Sequence, residues 1–466
     1  MVFVKISNFI GDRKFYRSVL AVSIPIMVQN GITTLVSLLD NIMVGRIGNE
    51  EMSGVSIANQ LIFVFTLCIF GAMSGPGIFA AQYYGKGDND GLRYSVRYKA
   101  YIGIAVTAVA ILVFGFFGKP LMEAFLYESE TGGDLSLTLE YSLQYMKIML
   151  FGLLPFAVTQ IYATTLRETG NTRIPMLCGM LAVAVNIILN YILIYGKLGA
   201  PRLGVEGAAI ATVVSRFTEG ISIIIWTHKN LDKNIFMRGV YKSLYIPSGV
   251  AKSVTIKSIP LLINEALWSL GVTVLTQCYA TRGLDVVGAY NISSTISNLF
   301  SVVFLALGSA IAIIVGNLLG ASRLEEARIS AYRLITFALV SSIVVGVLMA
   351  LTAPLFPKIY KTTDSVKDLS VFFIYVLSAY LPLRSALHAM YFTIRSGGKT
   401  FITFVFDSGF SWLISVPVAF ALTRLTNWTI YPIFIICNAL ELIKCAASLV
   451  LVKSGAWITN FVGEKQ

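Results

Sequence analysis

The chain has 466 residues, of which 56% are hydrophobic and only 13% charged, with a mean hydropathy of +0.76. Soluble domains carry about 25% charged residues, so roughly half the usual charge is missing, and a mainly water-facing protein is excluded. The net charge is +12, and its distribution has to separate nucleic-acid binding from membrane orientation.

A hydrocarbon layer about 30 Å thick takes roughly 20 helical residues to cross. Apolar runs of that length recur over 18–41, 54–80, 100–118, 138–162, 174–196, 205–226, 253–280, 287–315, 331–353, 369–392, 401–422 and 428–452. The expected fold is therefore an all-α polytopic membrane protein with twelve transmembrane helices. The charged start (Lys5, Arg13, Lys14, Arg17) leads into a run too long for a signal-peptide core, so it reads as a first spanning helix rather than a cleavable leader. With the N-terminus in the cytoplasm, the tail, even-numbered loops and C-terminus hold 23 Lys and Arg against 9 in the odd-numbered loops. That is the positive-inside pattern; it places both termini in the cytoplasm of an inner-membrane protein and leaves no basic face for nucleic acid.

Five cysteines (Cys68, Cys178, Cys278, Cys437, Cys445) lie scattered in apolar runs without paired spacing, and two histidines (His228, His388) cannot build a multi-histidine metal centre. No phosphate loop, zinc-protease helix or serine elbow occurs, so no enzyme chemistry is visible and no cofactor is expected.

The polar stretch 229–250 divides six spans from six, giving an N-lobe of residues 1–228, a cytoplasmic linker and a C-lobe of residues 251–466. The halves echo each other. Ser23–Ile24–Pro25 answers to Ser258–Ile259–Pro260, and Gly85 and Ser95 to Gly320 and Ser330, all at an offset of 235. Leu166–Arg167–Glu168–Thr169–Gly170–Asn171–Thr172 answers to Ile394–Arg395–Ser396–Gly397–Gly398–Lys399–Thr400 at an offset of 228. An even number of helices per copy makes the copies parallel, related by an axis along the membrane normal. Two pseudo-symmetric six-helix lobes are the geometry of an alternating-access carrier, and no channel filter sequence is present.

In chain order, the first candidate is Pro25, which removes a backbone hydrogen bond inside the first helix and permits either a moving bend or a static kink. Asp40 follows fifteen residues later, behind the apolar Leu35–Val36–Ser37–Leu38–Leu39. A carboxylate there must take a proton, bind a cation or reach water; the alternative is an interfacial residue at the external helix end. Asn186 and Asn190 are four apart and share one face of the fifth helix, as polar lining or as helix-to-helix glue, and Thr212 in the sixth helix is placed to join them. Glu265 sits five residues after Pro260, where the first repeat has Asn30. It reads as a cavity or ion-coupling group, or as the partner of Arg384, which shares a stripe of the tenth helix with Tyr380 and His388.

These residues, with the Arg167–Thr172 and Arg395–Thr400 loops, Val44–Gly45–Arg46–Ile47–Gly48 and Gly207–Ala208–Ala209–Ile210–Ala211–Thr212, resemble the multidrug and toxic compound extrusion (MATE) transporters over almost the whole chain. The resemblance implies export of organic, often cationic, compounds driven by protons or sodium ions. It also implies an N-lobe site at Asp40, Asn186, Asn190 and Thr212, with H+ or Na+ at Asp40 as coupling ion. Some members have an acid where this chain has Asn190. Sodium-coupled members carry a C-lobe site matched by Glu265 and Tyr380, but Arg384 stands where their Asp is expected. The expected partners are small organic substrates, the coupling cation and the bilayer, with the chain acting as a monomer. The alternative reading is a lipid-linked saccharide flippase of the same superfamily, which needs a strongly basic cavity; the intramembrane bases here are chiefly Arg216 and Arg384.

Overall fold

The computed structural model describes residues 9–124, 126, 134–360 and 362–463; Lys5, Lys361 and Lys465, counted in the charge distribution, lie outside them. Among the described residues, twelve helices are long and apolar enough to span a bilayer. They are α1 (Arg13–Gly45), α2 (Asn49–Lys86), α3 (Asn89–Glu123), α4 (Leu135–Glu168), α5 (Arg173–Tyr195) and α6 (Gly204–Lys229) in the first half. The second half supplies α7 (Ser248–Ala280), α8 (Leu284–Gly320), α9 (Leu324–Thr352), α10 (Asp364–Ser396), α11 (Thr400–Leu425) and α12 (Ile430–Ser454). Each predicted run falls on its own helix, with 174–196, 331–353 and 428–452 overrunning theirs by one or two residues, and most helices extend past the runs because charged first and last turns continue the backbone hydrogen bonding beyond the apolar core.

Local chemistry fixes several ends. Asp88 caps α3 by accepting from Gly91 N at 2.9 Å, and Asp134 caps α4 by accepting from Ser136 N at 2.9 Å and Leu137 N at 3.1 Å. Those donors and the Ser136 hydroxyl hold the Asp134 carboxyl below the usual carboxylate range. Gly196 ends α5 in the left-handed region at φ 64°, which a side chain disfavours. Two helices depart from α geometry in mid-span. In α4 a 3₁₀ turn, Leu150–Gly152, leaves a carbonyl that Arg216 Nη1 fills at 3.2 Å. In α11 two π-helical turns, Val405–Gly409 and Ser411–Ser415, interrupt the ladder.

The helices pack as two compact units. An N-terminal unit takes Val28–Ala80 and Asp88–Val254; a C-terminal unit takes the chain up to Met27, then Ala81–Gly87 and everything from Thr255. Helix α1 therefore contributes to both, changing unit between Met27 and Val28, just past the buried Pro25. In the N-terminal unit, Arg93, Arg97 and Tyr101 of α3 donate to the carbonyls of Phe236, Val240 and Leu244 at 3.2, 2.9 and 2.9 Å, strapping the segment after α6 onto the bundle.

The repeat offset reappears as a contact inside the C-terminal unit. A side chain at Gly85 would strike Asn317 O at 1.9 Å, and one at Gly320 would strike Gln82 O at 1.9 Å. Gln82 and Asn317 are themselves 235 apart, so the contact is reciprocal, as a pseudo-twofold between duplicated segments requires. Only glycine allows the two backbones so close, and small residues at helix crossings replace the hydrophobic driving force that lipid cannot supply. The apolar core of this unit gathers Val19 of α1, Leu307, Ile311 and Val315 of α8, Leu334 of α9 and Met390 of α10.

Candidate functional site

In the N-terminal unit the polar residues singled out in the sequence meet. Asn190 Nδ2 donates to Asp40 Oδ1 at 2.6 Å and to Asn186 Oδ1 at 3.0 Å, and Asn186 Nδ2 donates to Thr212 Oγ1 at 3.4 Å. The four-residue spacing of the two asparagines stacks them on the face of α5 that looks at α1 and α6. Both are nearly fully buried. The buried Tyr145 of α4 lies beside Thr212 and Asn59 and closes the group, and Tyr195 Oη donates to Met43 O at 2.9 Å, holding the end of α1 against α5.

Two features decide what this cluster does chemically. Asp40 accepts from one neutral amide, Asn190, which leads on to Asn186 and Thr212, and among the described residues no lysine or arginine pairs with it. Asn190 Oδ1 is buried and has no hydrogen-bond partner. A half-buried carboxylate without a counter-charge beside a buried, unsatisfied carbonyl oxygen is an incomplete arrangement, because both groups gave up water without full compensation. The free donors are all hard oxygens, suited to a proton or an alkali cation. Among the described residues no three His, Cys, Asp or Glu converge as a transition-metal site would need.

A second polar layer of the same unit was largely missed in the sequence. Arg167 Nη2 donates to Gln29 Oε1 at 2.6 Å, and Glu219 lies within electrostatic range of both Arg167 and Arg216. The fully buried Lys99 bonds Thr164 and Thr165 at 3.0 and 3.1 Å and pairs with Glu168. Arg216 packs over Phe156, 5.1 Å from the ring centre. These bases have internal partners.

The C-terminal unit corrects one expectation. Glu265 and Arg384 do not pair: Arg384 Nε lies 3.1 and 3.0 Å from the two carboxylate oxygens of Glu441, and its Nη2 donates to Asn438 Oδ1 at 2.8 Å. Asn438 and Glu441, three apart on α12, present a bidentate face to α10, whereas α7 turns Asn264, the residue before Glu265, toward α11. Tyr380 lies one turn before Arg384 in α10. The place where a C-lobe acid was looked for thus belongs to a resident ion pair.

Asn264 in turn ties α7 to the π-helical part of α11. Its Oδ1 accepts from Ser408 N at 3.3 Å and Ser408 Oγ at 2.7 Å, while its Nδ2 donates to Asp407 Oδ2 at 3.1 Å. Asp407 also pairs with Lys444 of α12. Asp407, Glu441 and Lys444 are acids and a base inside apolar spans, and that was the sequence signal that could have found them.

A multi-pass bundle with duplicated halves, broken helices and charged groups buried in mid-span is the make-up of a membrane carrier. The comparisons with known proteins agree. The MatE family model matches residues 25–192 and 260–421, once in each half. A probable multidrug resistance protein NorM of Thermotoga maritima is 23% identical over 449 residues, spanning 95% of this chain and 93% of its own length. The multidrug resistance protein PmpM of Pseudomonas aeruginosa is 25% identical over 415 residues, spanning 88% and 84%. Among solved structures, a mutant of the Vibrio cholerae MATE transporter VcmN has a TM-score of 0.85 at 17% identity over 97% of this chain and 99% of that one. An outward-facing MATE family transporter of the MOP superfamily has a TM-score of 0.82 at 18% identity. The chain belongs to the MatE family and is a MATE efflux transporter.

Proposed function

We propose that the protein is an inner-membrane antiporter that exports organic cations by alternating access in exchange for a proton or sodium ion at Asp40. The observation that carries this reading is the Asp40 carboxylate, held by the Asn190 amide without a basic partner among the described residues, with the buried Asn190 Oδ1 left unpartnered beside it. The names of the NorM and PmpM relatives support multidrug cargo. Coupling requires the ion to favour one conformation over another. A carboxylate that meets water in one state and is dry in the other supplies that difference, since water favours its charged form and burial its neutral or ion-paired form. Pro25 leaves α1 one backbone hydrogen bond short near the point where the helix changes unit, and bending there carries Asp40 with it. The charge distribution orients both termini to the cytoplasm, and the chain works as a monomer without a resident cofactor. Asp40, Asn186, Asn190 and Thr212 bind the coupling ion.

The test is uptake of a fluorescent organic cation into proteoliposomes under an imposed proton gradient and, separately, a sodium gradient. Accumulation under one gradient and not under the other assigns the ion. Accumulation under neither, together with movement of a lipid-linked saccharide across the bilayer, replaces the antiport reading with the flippase one.

A further inference from the structure

The C-terminal unit holds one of its own ammonium groups in a setting that suits a cargo cation. Lys444 Nζ pairs with Asp407 and lies over the face of Phe406, 5.7 Å from the ring centre. A carboxylate combined with an aromatic face is the chemistry that recognises an alkylammonium ligand. Here the ammonium is the end of an aliphatic stem, the lysine itself.

Three observations set this pair apart from a structural salt bridge. The carboxylate is positioned by other groups: Asn264 Nδ2 fixes Asp407 Oδ2 at 3.1 Å, and the carbonyl oxygen of the same amide takes up the Ser408 N–H at the π-helical turn. π-helical turns break the regular ladder and aim side chains where an α-helix would not, and they occur often at functional sites. The pair is also reachable, since the side chains of Lys444 and Asp407 keep 14% and 19% of their surface. Finally, Lys444 has a second acid near it. Glu441, which Arg384 also binds, lies three residues earlier on the same helix, within the reach of an i,i+3 pair for an ammonium displaced from Asp407.

We propose that Asp407 and the Phe406 ring form a subsite for the alkylammonium group of the exported compound, and that Lys444 is a tethered competitor that fills it when cargo is absent. Glu265, within electrostatic range of Asp407 and Arg395, adds a second acid, so the two acids and the bases Lys444 and Arg395 are balanced before cargo arrives. A neutral compound has nothing to exchange for the lysine. A cationic amphiphile replaces it charge for charge, with its apolar body on the aromatic surface. An empty subsite would leave Asp407 without a counter-charge in a largely apolar span, and the lysine avoids that cost.

The inference rests on the reading of the cargo as an organic cation. Its test is equilibrium binding of dansylcadaverine, a primary amine on an alkyl stem, and of its uncharged terminal-alcohol analogue to the full chain in lipid nanodiscs. Asp407→Asn is expected to weaken the amine about tenfold, and Lys444→Gln to tighten it about tenfold, with the alcohol unchanged in both. Because Lys444→Gln strands a carboxylate, Lys444→Arg is measured beside it. Arginine keeps the pair and grips the carboxylate harder, so it is expected to weaken the amine while the alcohol again holds still. Parallel shifts of amine and alcohol, or no shift of the amine in folded Asp407→Asn and Lys444→Arg protein, overturn the subsite. A wild-type chain that exports dansylcadaverine while these variants bind it unchanged sinks the subsite alone; a wild-type chain that exports no cation under either gradient sinks the antiport reading beneath it.

Discussion

Asp40 in the N-terminal unit and Asp407 in the C-terminal unit, both carboxylates inside apolar spans, are held in opposite ways. In the N-terminal unit Asp40 is held by Asn190 and its neighbouring amide and hydroxyl groups, with no basic residue paired to it among those described. In the C-terminal unit Asp407 has Lys444, and Glu441 has Arg384. An acid whose charge is met from within is compensated at rest and takes an outside cation only by exchange, whereas under the proposed antiport an acid beside an amide takes its ion directly. Duplication supplied the same scaffold twice, and the difference lies in which helix carries a base. Position 265 makes the same point, since Glu265 stands where the first repeat has Asn30.

The comparison breaks most sharply at the resident pairs. Glu441→Gln takes the counter-charge from Arg384, leaving it Asn438, and is expected to cost about 3 kcal/mol of stability, with much of the loss recovered in the Arg384→Met/Glu441→Leu double variant. Thermal unfolding in detergent reads both; equal losses in the single and double variants would show that the pair does not set the stability of α10 against α12. Next in size, Asn264→Leu removes the acceptor of the Ser408 N–H and one donor to Asp407, at a cost of about 2 kcal/mol. In the N-terminal unit the expected effect is on rate rather than stability. Asn190→Leu takes the donor from Asp40 and should slow ion-driven transport about tenfold, as the loss of one hydrogen bond to a charged group implies. Stopped-flow dye uptake measures it, and an unchanged rate would count against the amide cluster as the ion site.

The smallest effect belongs to a helix cap outside the bilayer. Asp134→Ala removes the cap of α4 and should lower the melting temperature slightly at neutral pH. The Asp134 carboxyl lies below its ordinary range when folded, so its contribution is present above the unfolded-state value and fades as pH falls through the depressed one. Wild type and variant should therefore converge only in strong acid.

Much of this fold was legible in the sequence because the bilayer imposes a length and a polarity on every span. The twelve apolar runs and the offset of 235 both reappear in the structure, the latter as Gly85 and Gly320 pressed against each other's helices. The N-terminal cluster was legible too, since Asn186 and Asn190 are close in sequence and α-helical periodicity puts them on one face. The pairing of Glu265 with Arg384 failed because helix rotation is set by packing, which no periodicity within a single helix records. Arg384 turned to the Asn438 and Glu441 face of α12. The π-helical turns of α11 were also invisible, because they answer to bonds from Asn264 on a helix more than 140 residues earlier.

The account depends most on Asp40, and transport by Asp40→Asn protein in proteoliposomes tests it directly. The variant should fold with wild-type stability to within about 1 kcal/mol, since the amide preserves shape and no ion pair is broken. It should nevertheless lose gradient-driven uptake of the organic cation. Folded Asp40→Asn protein that accumulates the dye under an ion gradient as fast as wild type would contradict it.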